Sequence, residues 1–145
     1  MLGIMNSQVN TFHSMPPAVV VCTLEQACAV VAAARRLRAE VILLTEPGAH
    51  AWHGPGYLLE MMVQAGAPRA ILDCGRDAGT AMLALRLGWR ELHLGMERDG
   101  TARIVSMTRA CGGRFHAVLP PALALHPGRP VDEPLAQWLA AHGSN

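Results

Sequence analysis

The sequence predicts an α/β fold: an open, mostly parallel sheet of five strands with helices on both faces, in three layers. Three observations point there. Short, unbroken apolar runs rich in β-branched residues read as strands buried on both faces. Segments with apolar residues at helical spacing separate them. Strand starts recur at intervals of roughly 20–30 residues, as repeated βα units require. A closed eight-stranded barrel takes about 250 residues, and this chain has 145. The sheet is therefore expected to be open, in the doubly wound order 2-1-3-4-5.

The elements follow in turn. Ala18–Cys22 is the first strand. Leu24–Arg38 is a helix with Leu24, Ala27, Cys28, Val31, Ala34 and Leu37 on one face, and its last turn carries Arg35, Arg36 and Arg38, where cations suit the dipole. Val41–Thr45 is the second strand. Tyr57–Ala65 is the second helix, opened by Pro55-Gly56 and stopped by Gly66-Ala67-Pro68. Ala70–Cys74, Asp77–Leu87 and Glu91–Leu94 follow as strand, helix and strand, with Gly88 ending the helix. Arg98–Cys111 is a helix closed by Gly112-Gly113, and Arg114–Leu119 is a fifth strand closed by Pro120-Pro121. Residues 1–17 form a lead-in, 18–121 the α/β domain and 122–145 a tail. In the tail His126–Pro130 is a linker and Asp132 caps a short helix with Leu135, Trp138 and Leu139 on one face. That face has to be buried, against its own domain or against a neighbouring subunit.

Composition removes several functions. Hydrophobic residues make up 51%, charged residues 16%, and the formal charge is +1. Nothing in that balance marks a nucleic-acid or membrane partner. All 12 basic residues are arginine, so Schiff-base, PLP-anchoring and P-loop lysines are absent. No serine sits in G-x-S-x-G, and no G-x-G-x-x-G follows a strand. No cofactor is expected. No apolar stretch reaches the roughly 18 residues that span a bilayer. Cys22, Cys28, Cys74 and Cys111 form no C-x-x-C. With no leader-like segment, they are expected to be reduced thiols of a cytoplasmic protein. The low charge and alanine-rich helices leave apolar surface for a homo-oligomer.

Ligands of open parallel sheets bind beyond the carboxyl ends of the strands. One candidate there is Asp73-Cys74-Gly75-Arg76-Asp77: a carboxylate and a thiol end a strand, a glycine turns, and an arginine precedes a helix whose N–H groups suit an anion. The plainer reading is a helix cap at Asp77 after an ordinary turn. The long loop Glu46–Tyr57 adds Glu46, His50, Trp52 and His53. His-x-x-His offers two metal ligands in principle, but the spacing alone does not specify a site and no metal is expected. In the order 2-1-3, Cys22 and Cys74 end neighbouring strands and form a thiol pair for proton transfer or redox work. They also read as two small buried hydrophobes. His93 and His116 fall inside strands and read as satisfied core or face residues rather than catalysts.

The layout resembles that of response-regulator receiver domains, which share the flavodoxin-like order, over about residues 18–120. Asp73 stands where their phosphorylatable aspartate would. Cys22-Thr23 replaces the acidic pair, Gly95 the hydroxyl residue and Pro120 the lysine, so the resemblance implies architecture without magnesium-dependent phosphorylation. The run from Ala70 through Asp73-Cys74-Gly75 to Gly88 is also similar to small uncharacterised bacterial α/β proteins with a strand–Asp-Cys-Gly–helix motif, and implies no activity.

The expected function is binding of a small polar or anionic ligand at a rim of Glu46, His50, His53, Asp73, Cys74 and Arg76. The alternatives are a small isomerase or lyase, with Asp73, Cys74, Cys22 and a histidine as catalytic candidates, and a self-associating interaction module.

Overall fold

A computed structural model describes residues 15–95 and 99–143. The lead-in as far as residue 14 and the expected helix start at Arg98 lie outside the described residues. The elements are β1 (Ala18–Val21), α1 (Leu24–Arg36), β2 (Ile42–Thr45), α2 (Ala49–Ala65), β3 (Ala70–Asp73), α3 (Ala78–Leu87), β4 (Glu91–His93), α4 (Asp99–Ala110), β5 (Arg114–His116), β6 (Ala122–Ala124) and α5 (Asp132–His142). The α/β class and the parallel sheet are as expected, but the sheet has six strands in the order β5-β4-β3-β2-β1-β6, not five in the order 2-1-3-4-5. Every pairing is parallel.

That order changes the layering. From β1 to β5 each crossover steps to the next strand in one direction. Right-handed crossovers that never reverse put every helix on the same face. The core follows. One apolar cluster joins Val19, Val21, Leu43, Leu72 and Leu92 of the sheet to Val30, Leu58, Met61, Ala84, Ile104 and Leu135, so all the helices meet this face. A second cluster on the opposite face, Ala18, Ile42, Leu44 and Ile71 with Met15, Val20, Leu119 and Ala122, contains no helix residue. The sandwich has two layers where three were expected.

The missed strand explains how the second face is covered. β5 and β6 lie at opposite edges of the sheet. Across a flat six-stranded sheet those edges would be roughly 24 Å apart. The six steps from His116 to Ala122 reach at most roughly 22 Å. They must also return from the carboxyl end to the amino end of the strands. The sheet is therefore curled about its helix-free face, and residues 117–121 run through the hollow. Leu119 packs there against the second cluster, and Ile42 and Ile71 are 0% exposed with no helix over them.

Local chemistry sets the helix ends. Thr23 caps α1 by accepting from the Gln26 N–H at 3.1 Å, and Asp77 caps α3 by accepting from the Thr80 N–H at 3.0 Å. Gly66 and Gly88 close α2 and α3 in the left-handed conformation, as the sequence predicts. The expected loop Glu46–Tyr57 is instead largely helical: α2 begins at Ala49 and is kinked at Gly54 (φ 78°, ψ 155°). The kink is pinned by buried Trp89, whose indole N–H donates to the Pro55 carbonyl at 2.8 Å. In the tail, Val131 and not Asp132 holds the cap position of α5, and no side chain caps it. Asp132 accepts from Arg36 at 2.6 Å instead. Leu135 is 0% exposed, so the helix docks on its own domain, against α1.

Candidate functional site

Pleating decides which residues share the hollow. Leu44 pairs with Ile71, Asp73 with His93, and His93 with His116. Side chains alternate across a sheet, so Ile71 and Asp73, then Glu91 and His93, point to the helix-free face. Asp73, His93 and His116 thus form one row on adjacent strands at their carboxyl ends. Glu46, two residues beyond Leu44, continues the row, and Cys22 stands against Glu46 at the end of β1.

The two histidines are held from below. Arg69 grips Glu91 with two hydrogen bonds, Nη2 to Oε1 at 2.6 Å and Nε to Oε2 at 2.9 Å, the fork geometry that suits a carboxylate. Glu91 Oε1 also meets His116 Nε2 at 3.1 Å. Burial alone would push the Glu91 carboxyl up, but hydrogen bonds and charge from Arg69 and His116 outweigh it and bring the group to about 2. The His116 carbonyl in turn accepts from His93 Nδ1 at 2.7 Å. A carbonyl oxygen only accepts, so Nδ1 carries the hydrogen and Nε2 of the neutral ring keeps its lone pair. That nitrogen faces Gly95: a Cβ added there would stand 3.6 Å from it.

Asp73 closes the strand with a turn of its own. Its Oδ1 accepts from the Gly75 N–H at 2.9 Å, and its own N–H donates to the Thr45 hydroxyl at 3.0 Å. His50 packs over Gly75, whose φ of 57° needs a glycine and whose missing Cβ would sit 3.1 Å from the ring. His50 Nδ1 is buried without a hydrogen-bond partner among the described residues.

Of the residues expected at the rim, the structure brings Glu46 and Cys22 together, keeps Asp73 in the row and sets His50 beside Gly75. It separates the others. His53 is exposed and stacks on Tyr57 at 5.0 Å. Arg76 is exposed in the turn before α3. Cys74 points to the helix layer, is 0% exposed, and its thiol is pushed up to about 12 by burial and then by Asp73 and Asp77. Cys22 and Cys74 do not end neighbouring strands, because β2 lies between β1 and β3. Burial, then the Glu46 charge and hydrogen bond, raise the Cys22 thiol as well. Neither thiol has the depressed pKa of a nucleophile.

The sequence reading missed His93, His116, Glu91 and Arg69. The signal was there: Glu-Leu-His and Arg-Phe-His alternate polar and apolar, which marks strands with only one face in hydrocarbon. The anion-binding reading also weakens, because the first turn of α3 is occupied by the Asp77 carboxylate, which binds both the N–H and the hydroxyl of Thr80.

A cavity of about 410 Å³ opens at the Cys22 end of the row, between the start of α1 and the linker Pro127–Pro130. Among the described residues, no group of three or more His, Cys, Asp or Glu side chains has the arrangement of a metal site. No helix there is long and apolar enough to cross a membrane. No protein-family model matches the chain, and no curated protein matches it.

Proposed function

We propose that the protein binds a small polar, hydrogen-bond-donating molecule, such as a polyol or an amine, at the carboxyl ends of its strands. The observation that carries this reading is the register row of Asp73, His93 and His116 on the helix-free face. Extended by Glu46 and Cys22, the row presents carboxylates and an imidazole lone pair, which are acceptors. Acceptors select ligands that donate. The caps of α1 and α3 favour this over an anion, since Thr23 and Asp77 each already take one first-turn N–H and Asp77 brings a negative charge to the start of α3. The neighbouring cavity has the volume of a small-molecule site.

Titration of ¹⁵N-labelled protein with glycerol, ethanolamine and inorganic phosphate tests this. Glycerol or ethanolamine should shift the amides of Glu46, Asp73, His93 and His116, with phosphate silent there. Shifts confined to phosphate, at Arg76 and Asp77, would restore the anion reading.

A further inference from the structure

We infer that His93 Nε2 is the proton-accepting atom of this site, and that Arg69, Glu91 and His116 are the residues that position it. The inference rests on the proposed carboxyl-end site and assigns it a chemistry. A free imidazole favours the hydrogen on Nε2. Here the bond to the His116 carbonyl at 2.7 Å places it on Nδ1, and the basic nitrogen is left facing Gly95, where the side chain is no more than a hydrogen. A base in catalysis needs that arrangement: one ring nitrogen oriented by a fixed acceptor, the other turned to the ligand.

The acceptor is itself fixed. The His116 carbonyl belongs to the β5 backbone, which pairs with β4 at this residue, and the His116 ring beside it meets Glu91 at 3.1 Å, itself clamped by Arg69. The clamp is buried, with Glu91 8% exposed. A ligand hydroxyl seated between His93 and Asp73 would donate its hydrogen to Nε2. In the transfer itself the ligand O–H bond breaks, its electron pair stays on the oxygen as an alkoxide, and the proton passes to Nε2. The imidazolium formed keeps its Nδ1–H bond to the His116 carbonyl and gains a carboxylate neighbour in Asp73. No oxidant or second reactant is needed for that transfer. The substrate class is a neutral hydroxyl compound.

Long-range ¹H–¹⁵N spectra of the histidine rings, taken with and without glycerol, test this in the intact protein. His93 should show a protonated Nδ1 and an unprotonated Nε2 at a pH where its ring is neutral, and glycerol should shift Nε2. Glu91→Gln should return His93 towards the Nε2–H form. If that variant does not fold, Gly95→Val provides the second arm: it leaves the clamp intact, keeps the tautomer, and should abolish both the glycerol shift and the acylation of Nε2 by diethyl pyrocarbonate. A hydrogen on Nε2 of the wild-type ring overturns the inference outright. Glycerol shifts at Glu46 and Asp73 with Nε2 unmoved overturn it while the binding site survives. No glycerol shift anywhere in the row overturns both.

Discussion

Gly75 and Cys74 stand next to each other and face opposite ways, and the difference is open to measurement. At Gly75 the backbone is left-handed and the His50 ring lies where a Cβ would go, 3.1 Å away. Gly75→Ala should cost about 1–2 kcal/mol in urea unfolding; a neutral substitution would mean that His50 does not pack there. Cys74, buried in the helix layer with its thiol pushed up to about 12, should resist iodoacetamide until the chain unfolds. The exposed Cys28 and Cys111 should be labelled first. Rapid labelling of Cys74 in the folded protein, followed by mass spectrometry, would contradict the orientation given to β3.

Among the elements, β3, β4 and β5 are joined by charge as well as by their ladders. Glu91 titrates at about 2 in the fold against an ordinary 4.5. A carboxyl whose pKa is lowered by folding stabilises the protein above its unfolded pKa. Its contribution, about 3 kcal/mol, should be complete above roughly pH 5 and lost as the pH falls from about 4.5 to about 2. Chemical denaturation across that range should show the loss in the wild type and a flatter profile in Glu91→Gln, which at neutral pH should already be less stable by about 3 kcal/mol. α5 is held differently. Its ion pair, Arg36 with Asp132, is exposed on both sides and should contribute under about 1 kcal/mol, whereas Leu135→Ala should cost about 2–5 kcal/mol because Leu135 is wholly buried. Equal effects from Asp132→Ala and Leu135→Ala, compared by thermal unfolding, would overturn that division.

These elements also show what a sequence carries locally. The apolar runs of β1 to β3, the cap at Asp77 and the stops at Gly66 and Gly88 are contained within a few residues each, and all were legible. The turn before Gly54 was not, because Gly48 heads it without a side-chain cap. β6 was not either: Ala-Leu-Ala is three residues long and becomes a strand by pairing with β1. Part of the candidate site was legible, at Cys22, Glu46 and Asp73, with His50 beside it. His93 and His116 were passed over because a lone histidine inside a strand reads as a satisfied core or face residue, and only the strand pairing sets the two side by side.

At the scale of the molecule, strand order is what places the site. Local patterns are the same whether a parallel sheet is wound in one direction or in two, and only a single direction leaves a face free of helices. With β1 to β5 in sequence, that face is curled, crossed by residues 117–121 and bordered at its carboxyl rim by Asp73, His93 and His116. In a doubly wound sheet the same side chains would lie under a helix, with their polar groups in hydrocarbon.

Methyl and aromatic nuclear Overhauser effects measure that face directly. Contacts from the Ile42, Leu44 and Ile71 methyls to Leu119, together with contacts from the His93 ring to the His116 backbone, are the expected result. Contacts from those isoleucines to side chains of α1 or α3 would put a helix where the hollow should be, and would contradict both the winding and the site built on it.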